Sequence, residues 1–145
     1  MAYYAHSTEK TDKSDWQPLD EHLHNVGKLS EQFAAAFNAG QWGQCAGMLH
    51  DAGKACPAFL ARLSGQAIRV DHAAFGAQTA LLRGERLGVL LAYAICGHHG
   101  GLPDGGAQDG QLHYRLRKEM TGVELLPGLD CVEPLAFPFQ LPEKW

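Results

Sequence analysis

The sequence predicts an all-α fold, a helical bundle followed by an irregular, proline-rich C-terminal tail. Three observations carry that expectation. Apolar residues recur at helical intervals from Pro18 to about His99. Asn38-Ala39-Gly40, Ser64-Gly65, Gly84 and Gly100-Gly101 divide that stretch into segments of helical length. Beyond Thr121, Pro127, Pro134, Pro138 and Pro142 interrupt the apolar residues too often for a helix to persist.

The first helix starts at Pro18, whose fixed φ suits a helix start, with Asp20 and Glu21 at the positive end of the dipole. Leu23, Val26, Leu29, Phe33, Ala36 and Phe37 recur along it at helical spacing, and Asn38-Ala39-Gly40 stops it. A second helix places Trp42, Cys45, Ala46 and Leu49 on one face and runs into His50-Asp51-Ala52-Gly53-Lys54, with Gly53 as terminator. Pro57 opens a short third helix that buries Phe59, Leu60 and Leu63. Asp71 caps a fourth, from His72 through Phe75, Thr79 and Leu82 to Gly84. The fifth, about Leu87 to His98, is apolar on most sides and belongs at the bundle centre. Gly100-Gly101 breaks it, Leu102-Pro103-Asp104-Gly105-Gly106 is loop, and Gln111 to Met120 is a last amphipathic helix. Residues 120–145 form the tail, expected to be extended and packed across the bundle.

The 145 residues suit one domain with a real core. A net charge of −4 lacks the basic excess of a protein that holds nucleic acid by charge alone. Cys45, Cys56, Cys96 and Cys131 include no C-x-x-C pair, which argues against a zinc ribbon or a disulfide framework. Residues 1–10 carry no signal pattern, and the longest apolar stretch, Leu87 to Cys96, falls short of the roughly 20 residues a bilayer span needs. A soluble, cytoplasmic protein without a membrane partner is the expectation.

Against that background His22, His50-Asp51, His72 and His98-His99 stand out, because neutral imidazole ligates metals and a carboxylate can bridge two ions. His22 and His24 are two apart and cannot share a helix face. His22 falls in line with Val26, Leu29, Phe33 and Phe37 and should face inward, whereas His24 lines up with Lys28 and Glu31 toward water. The adjacent His50 and Asp51 suit two cations better than one, since paired ions lie roughly 3.5–4 Å apart, within the span of one carboxylate. Lys54 sits over the same turn. It either forms an ordinary helical ion pair or acts in the site, orienting an activated water or neutralising a phosphate. His72 opens a helix where packing does not require histidine, and His98-His99 closes one at its negative end, with Gly97 and Gly100 leaving room around the rings. His6 and His113 lie on no clear inward stripe and read as ordinary surface or core histidines.

With those residues placed, the chain resembles the HD superfamily of metal-dependent phosphohydrolases. More narrowly it is similar to the HD nuclease domain of the type I CRISPR-associated helicase-nuclease. The matching strings are Tyr4-Ala5-His6-Ser7, Leu19-Asp20-Glu21-His22-Leu23, Gly47-Met48-Leu49-His50-Asp51-Ala52-Gly53-Lys54, Asp71-His72-Ala73-Ala74 and Gly97-His98-His99-Gly100-Gly101-Leu102-Pro103-Asp104. The His-Asp pair alone is a weak motif, and the combined series is far more specific. The resemblance implies an HD-type helical bundle and two divalent ions. His22, His50 and Asp51 would contribute to one, and Asp51, His72, His98 and His99 would hold the other. It gives Asp51 and Lys54 catalytic roles. Such domains usually carry one more aspartate ligand after the His-His motif. Here the only aspartate after Asp109 is Asp130, in a Gly128-Leu129-Asp130-Cys131 stretch that reads as loop. The chain is therefore expected to be an N-terminal piece of a longer polypeptide, with the ion near His22 weakly held and one ion position well formed.

The function so implied is metal-dependent endonucleolytic hydrolysis of single-stranded DNA in CRISPR interference by an activated water. The partners are a surveillance complex and a helicase motor, in the same longer chain or as a separate subunit. No G-x-x-x-x-G-K-[ST] loop occurs, so this chain is not the motor. Mixed imidazole and carboxylate donors admit manganese, nickel, cobalt, iron or magnesium. Arg115, Arg117 and Lys118 are candidates for the DNA route, with a solvated helix face as the competing reading. Two alternatives stay open: an HD phosphohydrolase acting on nucleotides or cyclic dinucleotides, and a metal-stabilised interaction module without catalysis.

Overall fold

A computed structural model describes residues 1–84, 87–129 and 135–136. The fold is helical, as the sequence predicts, with one small addition. Strands β1 (Tyr4–His6) and β2 (Gln17–Pro18) pair antiparallel and lead into α1 (Leu19–Ala35). Then follow α2 (Gly40–Leu49), a 3-10 turn (Ala52–Lys54), α3 (Pro57–Leu63), α4 (Ala73–Arg83), α5 (Gly88–Gly97) and α6 (Leu112–Arg117). The two strands are too short to leave an alternating pattern, which is why periodicity does not find them.

Helices α1 and α2 form an antiparallel pair that approaches closely. A Cβ on Gly47 would lie 2.7 Å from the Val26 carbonyl, so only glycine lets the backbones meet there. Asn38, in the left-handed region at φ 61°, turns the chain between them. Helices α4 and α5 form the second layer, and Leu19, Leu23, Leu49, Ile95 and Leu112 fill the core. The described part of the tail is irregular and crosses the bundle: Glu124 N–H donates to the Ala55 carbonyl at 2.8 Å, and Leu129 is buried. Trp42 Nε1 donates to the Ala136 carbonyl at 2.8 Å.

Several boundaries differ from the sequence expectation. Helix α2 ends at Leu49, and Asp51, at φ −113° and ψ 9°, turns the chain before the 3-10 turn. Gly53 is thus inside that turn and terminates nothing. Helix α4 begins at Ala73, though Asp71 Oδ1 still accepts the Ala74 N–H at 3.3 Å. Helix α6 covers only Leu112–Arg117 of the expected Gln111 to Met120. On α1 the buried residues are Leu19, Leu23, Gly27 and Ala34, whereas Leu29 and Phe33 are 50% and 69% exposed, and Phe37, just beyond the helix, is 56% exposed. The expected stripe was one step off: small Gly27 and Ala34 face α2 because the close approach leaves no room for phenylalanine.

Candidate metal centre

Four helix ends and one turn converge on a single carboxylate. Asp51 is almost fully buried, and its Oδ2 lies 3.2 Å from His22 Nε2 and 3.2 Å from His50 Nε2. Its Oδ1 lies 3.2 Å from His72 Nε2 and 3.4 Å from His98 Nε2. The turn after Leu49 makes this possible, for it aims the adjacent His50 and Asp51 at one point instead of fanning them round a helix. His22 comes from the first turns of α1, His72 from the residue preceding α4, and His98 from the end of α5. His99 joins them with its Nε2 3.0 Å from His72 Nε2. His24 faces out, its Nδ1 paired with the Asp20 carbonyl at 2.8 Å.

Approach between α4 and the 3-10 turn requires Gly53. A Cβ there would overlap the His72 carbonyl, so glycine lets the backbone carrying His72 lie against the turn carrying Asp51.

Backbone contacts set the orientation of two of the rings. His50 Nδ1 lies 2.6 Å from the Gly47 carbonyl and His98 Nδ1 2.6 Å from the Ile95 carbonyl. A carbonyl only accepts, so both Nδ1 atoms carry a proton and each ring turns its Nε2 toward the Asp51 oxygens. Asp51 Oδ1 and His72 Nδ1 are buried without a hydrogen-bond partner among the described residues, although two imidazoles stand beside Oδ1. Imidazoles fixed through Nδ1–H to backbone carbonyls are the arrangement in which histidine ligates a metal. Ligand atoms of Asp51, His72, His98 and His99 lie within 4.8 Å of one another, as do those of His22, His50 and Asp51. The residues therefore fit divalent metal binding, with Asp51 common to both donor sets. Burial pushes the Asp51 carboxyl up, but the four imidazoles outweigh it and hold it far below the usual carboxylate range.

Lys54 is not on the surface. Its Nζ lies 2.7 Å from Asp51 Oδ2 and donates to the Ala5 carbonyl at 3.1 Å, which fixes β1 over the site. His6, at the end of β1, lies on no inward stripe in the sequence yet belongs beside the cluster. Its ring stands edge-on to His22 with centroids 5.0 Å apart, close to the 5.1 Å between His22 and His50. Strand β1 is what brings it there, and a three-residue strand leaves no periodic signal. The HD-type sequence signature Tyr4-Ala5-His6-Ser7 was the available clue. Asp130 lies outside the described residues. His113 is exposed.

Beside His72 and His99 opens a cleft of about 790 Å³, also lined by Arg69, Tyr114, Arg115 and Lys118. The three candidate nucleic-acid residues separate there. Arg115 turns inward onto Asp71, Arg117 is exposed, and Lys118 reaches Asp71 only at 3.8 Å.

A helical bundle that converges on one shared carboxylate among five imidazoles defines an all-α, metal-binding domain. The family profile of the HD domain matches residues 19–126, and the chain belongs to that family, a superfamily of metal-dependent hydrolases. The match takes in all seven site residues from His22 to His99, Lys54 included. A search of curated proteins found no match. No helix among the described residues is long and apolar enough to cross a membrane.

Proposed function

We propose that this chain is the HD nuclease domain of a type I CRISPR-associated helicase-nuclease, hydrolysing phosphodiester bonds of single-stranded DNA. The observation that carries the reading is Asp51 shared between two donor sets, with the cleft opening on the His72-His99 side. In this reading His22, His50 and Asp51 hold one divalent ion, and Asp51, His72, His98 and His99 hold the other. Manganese, magnesium, nickel, cobalt or iron would each suit the donors. Such ions, when bound, polarise the scissile phosphate and lower the pKa of water.

The chain's own residues do the rest. Asp51 fixes the spacing of the two positions, and its ionised state persists because four imidazoles surround it. Lys54 holds Asp51 Oδ2 and closes the site beneath β1. Tyr114, 41% exposed at the cleft, offers a ring on which a base can stack, and Lys118 and Arg69 offer charge to the backbone. Water adds to phosphorus and gives up a proton to solvent, one P–O ester bond breaks, and the leaving alkoxide takes a proton from solvent. A helicase motor and a surveillance complex that opens DNA are the partners this reading requires.

The test is to incubate the purified chain with manganese and circular single-stranded DNA, a nucleotide panel and a cyclic dinucleotide. DNA cutting lost in His50→Ala and Asp51→Ala supports the nuclease. Turnover of nucleotides or cyclic dinucleotides alone would replace it with a small-molecule phosphohydrolase. Tight metal retention without turnover of any of the three would point to an interaction module.

A further inference from the structure

We propose that Arg115 is a positioning residue for the second ion position. By gripping the Asp71 carboxylate and the Cys96 carbonyl together, it sets the spacing between His72 and the His98-His99 pair. The inference rests on the metal-binding reading above and deepens it.

Three donors of one guanidinium are committed. Nε lies 3.1 Å from Asp71 Oδ2 and Nη2 2.6 Å from Asp71 Oδ1, the two-pronged geometry that only arginine offers a carboxylate. Nη1 donates to the Cys96 carbonyl at 2.8 Å. Asp71 immediately precedes His72, and Cys96 lies two residues before His98. One planar group thus ties the start of α4 to the last turn of α5, the two places from which the ligands of this position project.

Both ends of the clamp are themselves fixed. Asp71 Oδ1 also accepts the Ala74 N–H at 3.3 Å, which locks the carboxylate to the first turn of α4. Gln78, on α4, donates to the Arg115 and Lys118 carbonyls at 2.9 and 2.8 Å, and Leu112 is fully buried. Helix α6 therefore cannot drift with respect to α4, and Arg115 transmits that registry to α5. The pairing also neutralises Asp71, so no spare carboxylate next to His72 competes for the ion. With Nε, Nη1 and Nη2 engaged, Arg115 contributes as a brace rather than as a binder of substrate phosphate. Partners that hydrogen-bond a ligand directly typically change metal affinity about 10- to 100-fold when removed, and a brace that acts through the backbone belongs at the lower end of that range.

The experiment is a cobalt(II) titration followed by visible absorption in a His22→Ala background, which leaves the Asp51-His72-His98-His99 position alone. Arg115→Ala and Asp71→Asn should weaken cobalt binding about 10-fold there. Arg115→Lys should recover part of the loss, because an ammonium still neutralises Asp71 but cannot bridge to the carbonyl. In a His72→Ala/His99→Ala background, which leaves the His22-His50-Asp51 position, the same substitutions should change cobalt affinity by less than about twofold. Far-UV circular dichroism and the thermal midpoint identify folded variants. Should Arg115→Ala not fold, Asp71→Asn and Arg115→Lys carry the comparison. Unchanged affinity in the folded variants, or equal weakening in both backgrounds, would overturn the clamp alone. Absence of cobalt binding in His22→Ala itself would overturn the metal reading and the clamp with it.

Discussion

The Lys54 ammonium lies 2.7 Å from Asp51 Oδ2, with the two side chains only 5% and 4% exposed. Sequence spacing admits an ordinary surface pair for these residues, but burial changes what the contact is worth. Breaking a buried pair by removing one partner leaves an uncompensated charge and typically costs 3–5 kcal/mol. The Lys54→Met variant should therefore lose about 3 kcal/mol of stability in chelator-treated protein. Saturating manganese should return much of that loss, because cations at Asp51 replace the missing charge. Urea unfolding with and without manganese checks this, and an equal cost in both conditions would contradict it. Hydrogen exchange should also quicken at the Leu19 N–H, which donates to the Tyr3 carbonyl at 3.0 Å, as β1 loses its anchor at Ala5.

Metal removal should destabilise the fold itself, since ions held by the folded state and not by the unfolded chain add their binding free energy to its stability. A ligand at 100 times its dissociation constant stabilises by about 2.7 kcal/mol, which is roughly 10 °C in thermal midpoint for a domain of this size. The rise on adding manganese should vanish in Asp51→Asn, which disables both positions, and persist at about half size in His22→Ala. A His22→Ala response as small as that of Asp51→Asn would mean the two positions are not separable.

How much of this was legible in the sequence depends on the residue. His22, His50, Asp51, His72, His98 and His99 converge as their placement at helix ends and in one adjacent pair implied. His22 joins them although the stripe that assigned it inward, through Leu29, Phe33 and Phe37, is exposed. The burial of Lys54 was not legible, because the covering strand β1 is only three residues long. Nor was the inward turn of Arg115, since its partner Asp71 lies 44 residues away. Hydropathy misassigned the face of α1 because a helix packed through Gly27 and Ala34 buries its small residues and leaves large ones outside.

That last point is measurable. Phe33, 69% exposed, should tolerate Phe33→Ser at a cost below about 0.5 kcal/mol. A core phenylalanine on the originally expected stripe would cost several times more, so denaturant unfolding of this one variant decides which face is inward.

Two glycines near the site should behave in opposite ways. Gly53→Ala drives a methyl into the His72 carbonyl, backbone against backbone, and should cost more than about 3 kcal/mol while lowering metal affinity at the His72 position. Gly100, beside His99, has nothing within 4 Å of an added Cβ, and Gly100→Ala should be close to neutral for folding. Comparable losses in the two variants would argue against the tight approach of the turn to α4.

Cys45 supplies a pH dependence whose sign can be worked out. Burial pushes its thiol up, with the neighbouring Arg83 guanidinium opposing in part. In the unfolded chain a cysteine releases its proton near pH 8.5, whereas the folded thiol keeps it to higher pH. Between those two values the folded state binds more protons than the unfolded one, so stability falls as pH rises. The fall is at most about 1.4 kcal/mol per pH unit from this group. Below about pH 8 both states are protonated and the contribution is constant. The stability of wild type minus that of Cys45→Ala should accordingly be flat from pH 6.5 to about 8 and decline from there toward pH 10. Taking the difference cancels every other titrating group, including the metal site. A difference that rises with pH, or stays level to pH 10, would place Cys45 in contact with solvent rather than in the core between α2 and α4.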